Sequence, residues 1–151
     1  MWQKIKPYVY FIALSLGVGG LAAFLTKDNM NIYDGIISPP LSPPMWLFPV
    51  VWTVLYTLMG VSAAMVYKQE KSVPGVFYTQ LAVNFLWSLI FFNLRMFLFS
   101  SLWLILLIWL IWKMIWEFRI YDIRAAYLQY PYLIWCIFAL YLNIAIWWLN
   151  K

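Results

Sequence analysis

The sequence predicts an all-α integral membrane protein, a bundle of five transmembrane helices. Three observations lead there. Hydrophobic residues make up 66% of the 151 residues and charged ones only 10%, against about 25% charged in a soluble domain. Five stretches reach the roughly 20 apolar residues a helix needs to cross hydrocarbon. The links between them are short, apart from one. A single five-helix domain over 1–151 is the simplest organisation for this length.

The first span is expected over about 7–26, with Pro7 in its opening turn, where a missing N–H costs nothing. Met1 to Lys6 gives it a basic leader like that of a signal peptide. No small-x-small cleavage site follows convincingly, so it is expected to stay as a helix. Ser15, Gly19 and Ala23 repeat every four residues, with Gly17 and Gly20 nearby. Small residues let helices approach closely, inside the bundle or across a homodimer seam. Gly75 and Thr79 are a weaker second stripe.

The loop 27–44 is the long connection, and loops of that length in compact domains are often functional. It ends in Ser38-Pro39-Pro40-Leu41-Ser42-Pro43-Pro44 and runs directly into the second span, about 45–67. There Trp52, Tyr56, Gly60 and Ala63 share a face, with Pro49 one turn earlier. Trp46, off that face, suits an interface anchor. The third span, about 74–94, carries Gln80, Asn84, Trp87, Ser88 and Phe91 as a stripe.

The fourth span, about 97–116, differs. Trp109, Trp112 and Trp116 lie beside the i, i+4 pair Lys113 and Glu117, a pattern expected of an interface belt with a snorkelling lysine. The fifth ends near Trp148 and starts between Ile123 and Tyr130, taken as 125–148; Pro131 either kinks it or opens it. Its stripe is Trp135, Phe138, Ala139, Leu142 and Asn143, and Trp147 and Trp148 suit a terminal anchor.

Three stripes mix rings with amides or hydroxyls. Unpaired amides cost several kcal/mol in hydrocarbon, so they are expected to face inward. One reading makes them interhelical glue. The other makes them the walls of a pocket under the long loop, suited to a planar, mostly apolar ligand.

Other functions are disfavoured. With no histidine, the commonest metal and haem ligand and the usual general base are missing. Cys136 stands alone, so no disulfide or cysteine zinc site forms within the chain. The acids Asp28, Asp34, Glu70, Glu117 and Asp122 sit at span ends, not mid-membrane, where a proton-coupled pump needs them. The net charge of +5 is scattered and gives no basic stripe for nucleic acid. Lys4, Lys6, Lys68, Lys71, Lys113, Arg119 and Arg124 fall on the N-terminal side, against Lys27, Arg95 and Lys151 on the other. That bias predicts a cytoplasmic N-terminus in a bacterial plasma membrane. No catalytic constellation is visible; tryptophan and tyrosine facing a photoexcited ligand are the available reactive groups.

Three blocks together resemble a known family. They are Pro43-Pro44-x-Trp46-x5-Trp52-x3-Tyr56-x3-Gly60, then Gln80-Leu81-Ala82-Val83-Asn84-x2-Trp87 with Phe91-Phe92, and Ala125-Ala126 with Tyr130-Pro131-Tyr132-Leu133-x-Trp135-x2-Phe138-Ala139 and Leu142-Asn143. In order and spacing they resemble the translocator protein family, also called tryptophan-rich sensory protein or peripheral benzodiazepine receptor-like, in its bacterial, Bacillus-type branch. The resemblance spans nearly the whole chain. It implies a five-helix bundle and a pocket for protoporphyrin IX, isoquinoline carboxamides and benzodiazepines. Carried over by position, the ligand-binding residues would be Tyr33, Pro43, Trp52, Tyr56, Asn84, Ser88, Trp135, Ala139 and Asn143. The resemblance also implies a light-dependent porphyrin breakdown in some bacterial members, for which Trp52 and Trp135 would be the reactive pair.

The chain departs from the family at Ile32 (where Trp is usual), at Leu41 and at Pro49-Val50. Near Leu142, Ile144, Ala145 and Trp148 replace the tyrosines and the arginine of the cholesterol pattern, so strong cholesterol binding is not expected. The sequence thus predicts a porphyrin-binding membrane receptor or sensor with no further cofactor and no metal. A porphyrin-degrading enzyme and a porphyrin carrier stay open as alternatives, as does a homodimer.

Overall fold

In a computed structural model of the chain, residues 1–30 and 32–151 are described, except for the side chains of Ile32 and Tyr33. The elements are α1 (Trp2–Thr26), α2 (Leu47–Glu70), α3 (Gly75–Ser88), α4 (Phe97–Tyr121), α5 (Ile123–Tyr127) and α6 (Tyr130–Asn150). Short 3-10 turns follow α1, and a π-helical turn, Leu89–Asn93, extends α3. No strand occurs among the described residues. Among the described residues, five helical units are long and apolar enough to cross a membrane, with α5 and α6 forming the last.

The bundle runs in the spatial order α2, α1, α3, α4, α6. The α1–α2 contact is the most intimate, and two glycines explain it. A Cβ on Gly60 would overlap the backbone of Ile12, and one on Gly19 would overlap the Tyr56 ring. The small-residue stripe of α1 therefore packs internally at Gly19, while Gly17 and Gly20 face open space. Between α6 and α2 the ring is closed by aromatic contacts, Phe48 to Trp135 at 5.8 Å and Trp52 to Tyr132 at 6.2 Å between centroids. Further along α2, the Ser62 hydroxyl donates to the Ala125 carbonyl at 2.7 Å and ties α2 to α5.

Several boundaries differ from those the sequence suggests. Helix α1 begins at Trp2, so Pro7 lies inside it rather than in its first turn. The proline removes one N–H near a helix end that is largely exposed, a mild break. The last span is split: the N–H of Leu128 returns to Arg124, the N–H of Gln129 to Ala126, and Pro131 opens α6 at its start. Lys71 and Arg95 adopt the left-handed conformation (φ 60° and 52°) and turn the chain between α2, α3 and α4. Lys113 and Glu117 form no ion pair; the Lys113 ammonium lies over the Trp109 ring at 5.6 Å. Trp109, Trp112 and Trp116 face outward, as an interface belt does.

Candidate functional site

The roof of the bundle is set by its connections. The loop 27–46 crosses the end where α1 finishes, α2 begins and α6 ends. Tyr141 donates its hydroxyl to the Pro40 carbonyl at 2.6 Å, and Asn150 pairs with the backbone of Ile37. On the other flank, Asn93 accepts from the Asn29 amide at 2.8 Å and donates to the Leu25 carbonyl at 3.1 Å.

Beneath this roof lies a slot. It offers ≈ 110 Å³ to the centre of a water molecule, and ≈ 830 Å³ of atom-free space when its open mouth is counted. Helix α1 contributes Gly19, Ala22, Ala23 and Thr26, and Met30 follows from the loop. The start of α2 contributes Met45, Phe48, Pro49, Trp52 and Tyr56. Trp87 and Ser88 come from α3, Phe91 and Phe92 from the π turn, and Trp135, Ala139, Leu142 and Asn143 from α6. Trp52 is the hub of the rings, 5.6 Å from Tyr56 and 6.5 Å from Trp87, and Trp87 stacks on Phe91 at 5.2 Å.

Most polar groups here are already occupied. The Tyr56 hydroxyl donates to Asn84 Oδ1 at 2.7 Å, Asn84 Nδ2 donates to the Tyr132 hydroxyl at 2.7 Å, and that hydroxyl donates to Gln80 Oε1 at 2.7 Å. Trp87 Nε1 and Ser100 Oγ both donate to Asn143 Oδ1 at 3.1 Å, and Asn143 Nδ2 donates to the Phe97 carbonyl at 2.9 Å. Three groups stay open, the half-buried Trp52 indole N–H among them. The Trp135 indole N–H is buried without a partner among the described residues. Ser88, at the slot wall, has no side-chain hydrogen bond among those of the described residues. A buried unmade bond such as that of the Trp135 N–H costs roughly 1–3 kcal/mol, which an acceptor on a bound molecule would recover.

The structure thus brings six of the nine candidate residues to one cavity: Trp52, Tyr56, Ser88, Trp135, Ala139 and Asn143. Asn84 does not border it; its amide is consumed linking α2, α3 and α6. Pro43 does not border it either, and the side chain of Tyr33 lies outside the described residues. The wall that sequence reasoning missed is α1. Its spacing of small residues signals close packing, and the same absence of bulk hollows the slot beside Tyr56.

Five membrane-spanning helices around an aromatic slot, roofed by the first long loop, define a multi-pass membrane protein built around an internal cavity. The chain belongs to the TspO/MBR family, whose model matches residues 11–149. It is 36% identical to the tryptophan-rich protein TspO of Archaeoglobus fulgidus, over 98% of this chain and 99% of that protein. It is 36% identical to protein CrtK of Rhodobacter capsulatus, over 94% of this chain and 91% of the relative. It is 34% identical to the translocator protein of Bos taurus, over 96% and 90% respectively.

Proposed function

We propose that the chain is a membrane receptor that takes planar, mostly apolar ligands of the porphyrin class, protoporphyrin IX first among them, into the slot under its first loop. Isoquinoline carboxamides and benzodiazepines would compete for the same space. The observation that carries this reading is the pairing of broad ring faces (Trp52, Trp87) with the unpartnered indole N–H of Trp135. Rings stack on rings, and a peripheral carboxylate or carbonyl would accept from Trp135. The absence of histidine from the sequence favours the metal-free porphyrin over haem. The names of the relatives, sensory protein and translocator, agree with sensing or transfer of such a ligand. In a bacterial plasma membrane, the lysine and arginine bias supports a cytoplasmic N-terminus and the slot near the outer face.

Titration of the purified protein with protoporphyrin IX, in the dark and in light, tests it. Binding quenches tryptophan emission in the dark with the porphyrin bands intact. No saturable quenching, or quenching equal to that in empty detergent micelles, would overturn the receptor reading. Bleaching in light that disappears in Trp52→Phe or Trp135→Phe with binding retained would add the degrading activity. Uptake into liposomes would add the carrier.

A further inference from the structure

At the opposite end of the bundle from the slot, a second cavity of ≈ 260 Å³ lies between the α2–α3 turn and the last turns of α4. Ser72, Val73 and Pro74 form one wall; Glu117, Ile120 and Tyr121 form the other. Glu117 is half-buried: its Oε2 is shielded from solvent with no hydrogen-bond partner among the described residues, while its Oε1 stays accessible. The basic groups nearby are turned elsewhere. Lys113 lies over Trp109, Arg119 over Trp116 at 5.1 Å, and Lys68 over Tyr8 at 5.2 Å. The ion pair found among the described residues, Arg124 with Asp122, does not involve it.

A carboxylate with one oxygen buried and no counter-ion is costly unless something cationic is supplied. The shape of the cavity selects the cation. Its outer lip is apolar, with Ile120 76% exposed and Tyr121 39% exposed. The outward-facing Trp112 and Trp116 on the same helix mark interface depth. Ser72, itself exposed, adds a hydroxyl acceptor to the lining. Lys71, exposed and next in sequence to Ser72, brings a positive charge to the α2–α3 turn.

We infer that this cavity is a headgroup site for a phospholipid bearing a primary ammonium, an ethanolamine-type lipid. The ammonium donates to Glu117 and Ser72, the phosphate faces Lys71, and the acyl chains leave over Ile120 and Tyr121. A choline headgroup of equal charge has no N–H to donate, so it forfeits the charge-assisted bonds.

Full-length protein in nanodiscs of equimolar ethanolamine, choline and glycerol phospholipids, analysed for lipids retained on extraction, tests the site. Ethanolamine lipid should be enriched about tenfold over choline lipid, the worth of one charge-assisted hydrogen bond. Glu117→Gln should abolish the enrichment, and Glu70→Gln should leave it intact. Equal retention, or enrichment that survives Glu117→Gln, overturns the inference. Displacement of the lipid by millimolar free ethanolamine overturns it too, because the site would then serve a soluble amine. Should Glu117→Gln fail to fold, the unaltered chain with mono-, di- and trimethylated headgroups suffices. Retention should fall with each methyl group, and a flat series overturns the site.

Discussion

Asn150 holds Ile37 by both halves of its side-chain amide. The Ile37 N–H donates to Asn150 Oδ1 at 2.8 Å, and Asn150 Nδ2 donates to the Ile37 carbonyl at 3.1 Å. The side chain thus fastens the roof loop to the last turn of α6. Asn150→Ala should loosen that loop without unfolding the bundle. Two exposed hydrogen bonds are worth about 1 kcal/mol or more together, so amide exchange at Ile36, Ile37, Ser38 and Leu41 should quicken roughly five- to tenfold. Exchange that stays at the unaltered rate would show that Tyr141 and Asn93 suffice as fasteners.

Asn84 separates two readings of a membrane amide. Because both ends of its amide are engaged, by Tyr56 and Tyr132, and Asn84 itself does not border the slot, Asn84→Leu should cost stability rather than affinity. The loss should be about 1–2 kcal/mol, the upper range for interhelical hydrogen bonds in a bilayer. Cys136, the single cysteine and fully buried, supplies the readout, since a thiol-reactive dye labels it only on unfolding. A protoporphyrin affinity lowered more than threefold, at unchanged stability, would return Asn84 to the ligand.

Glycine serves two different purposes along α1 and α2. Gly60→Ala places a methyl group against the Ile12 backbone, and overpacking of that kind costs about 1–3 kcal/mol. Gly17→Ala meets nothing within 4 Å and should stabilise the helix by roughly 0.5–1 kcal/mol. Thermal unfolding of the pair decides it. Equal shifts in one direction would mean that α1 and α2 do not meet as described.

Trp135→Phe keeps a ring in the slot and removes the unpartnered N–H. Stability should hold or rise slightly. Protoporphyrin affinity should fall about three- to tenfold, the worth of one hydrogen bond to a carboxylate, and the porphyrin dimethyl ester should lose less. An affinity unchanged for both ligands would leave the indole N–H without a part in recognition.

Spans and faces were legible in the sequence because hydrocarbon imposes length and apolarity locally, and a helix repeats its faces at fixed spacing. Trp52 and Tyr56 could therefore be assigned to the slot before any coordinates. Asn84 could not be resolved, since glue and ligand contact require the same inward amide. What separates them is Tyr132, 48 residues away and at hydrogen-bond distance. The α1 wall escaped because a cavity lined by glycine and alanine is written as missing atoms. The split before α6 was visible as an ambiguity around Pro131, and tertiary packing of Ala125 and Ala126 decided it.

The π turn over Leu89–Asn93 has one last consequence. Phe91 and Phe92 are consecutive, yet both border the slot, and Asn93 just after them clasps the roof. A wider turn holds one more residue than an α-helical turn would. Deleting a single residue there would let the segment relax to the α-helical repeat and swing Phe92 and Asn93 round the axis. The aperture of the cavity is therefore encoded in a count of residues as much as in their kind, and a homologue one residue shorter at this point would have a differently shaped doorway with nearly the same letters.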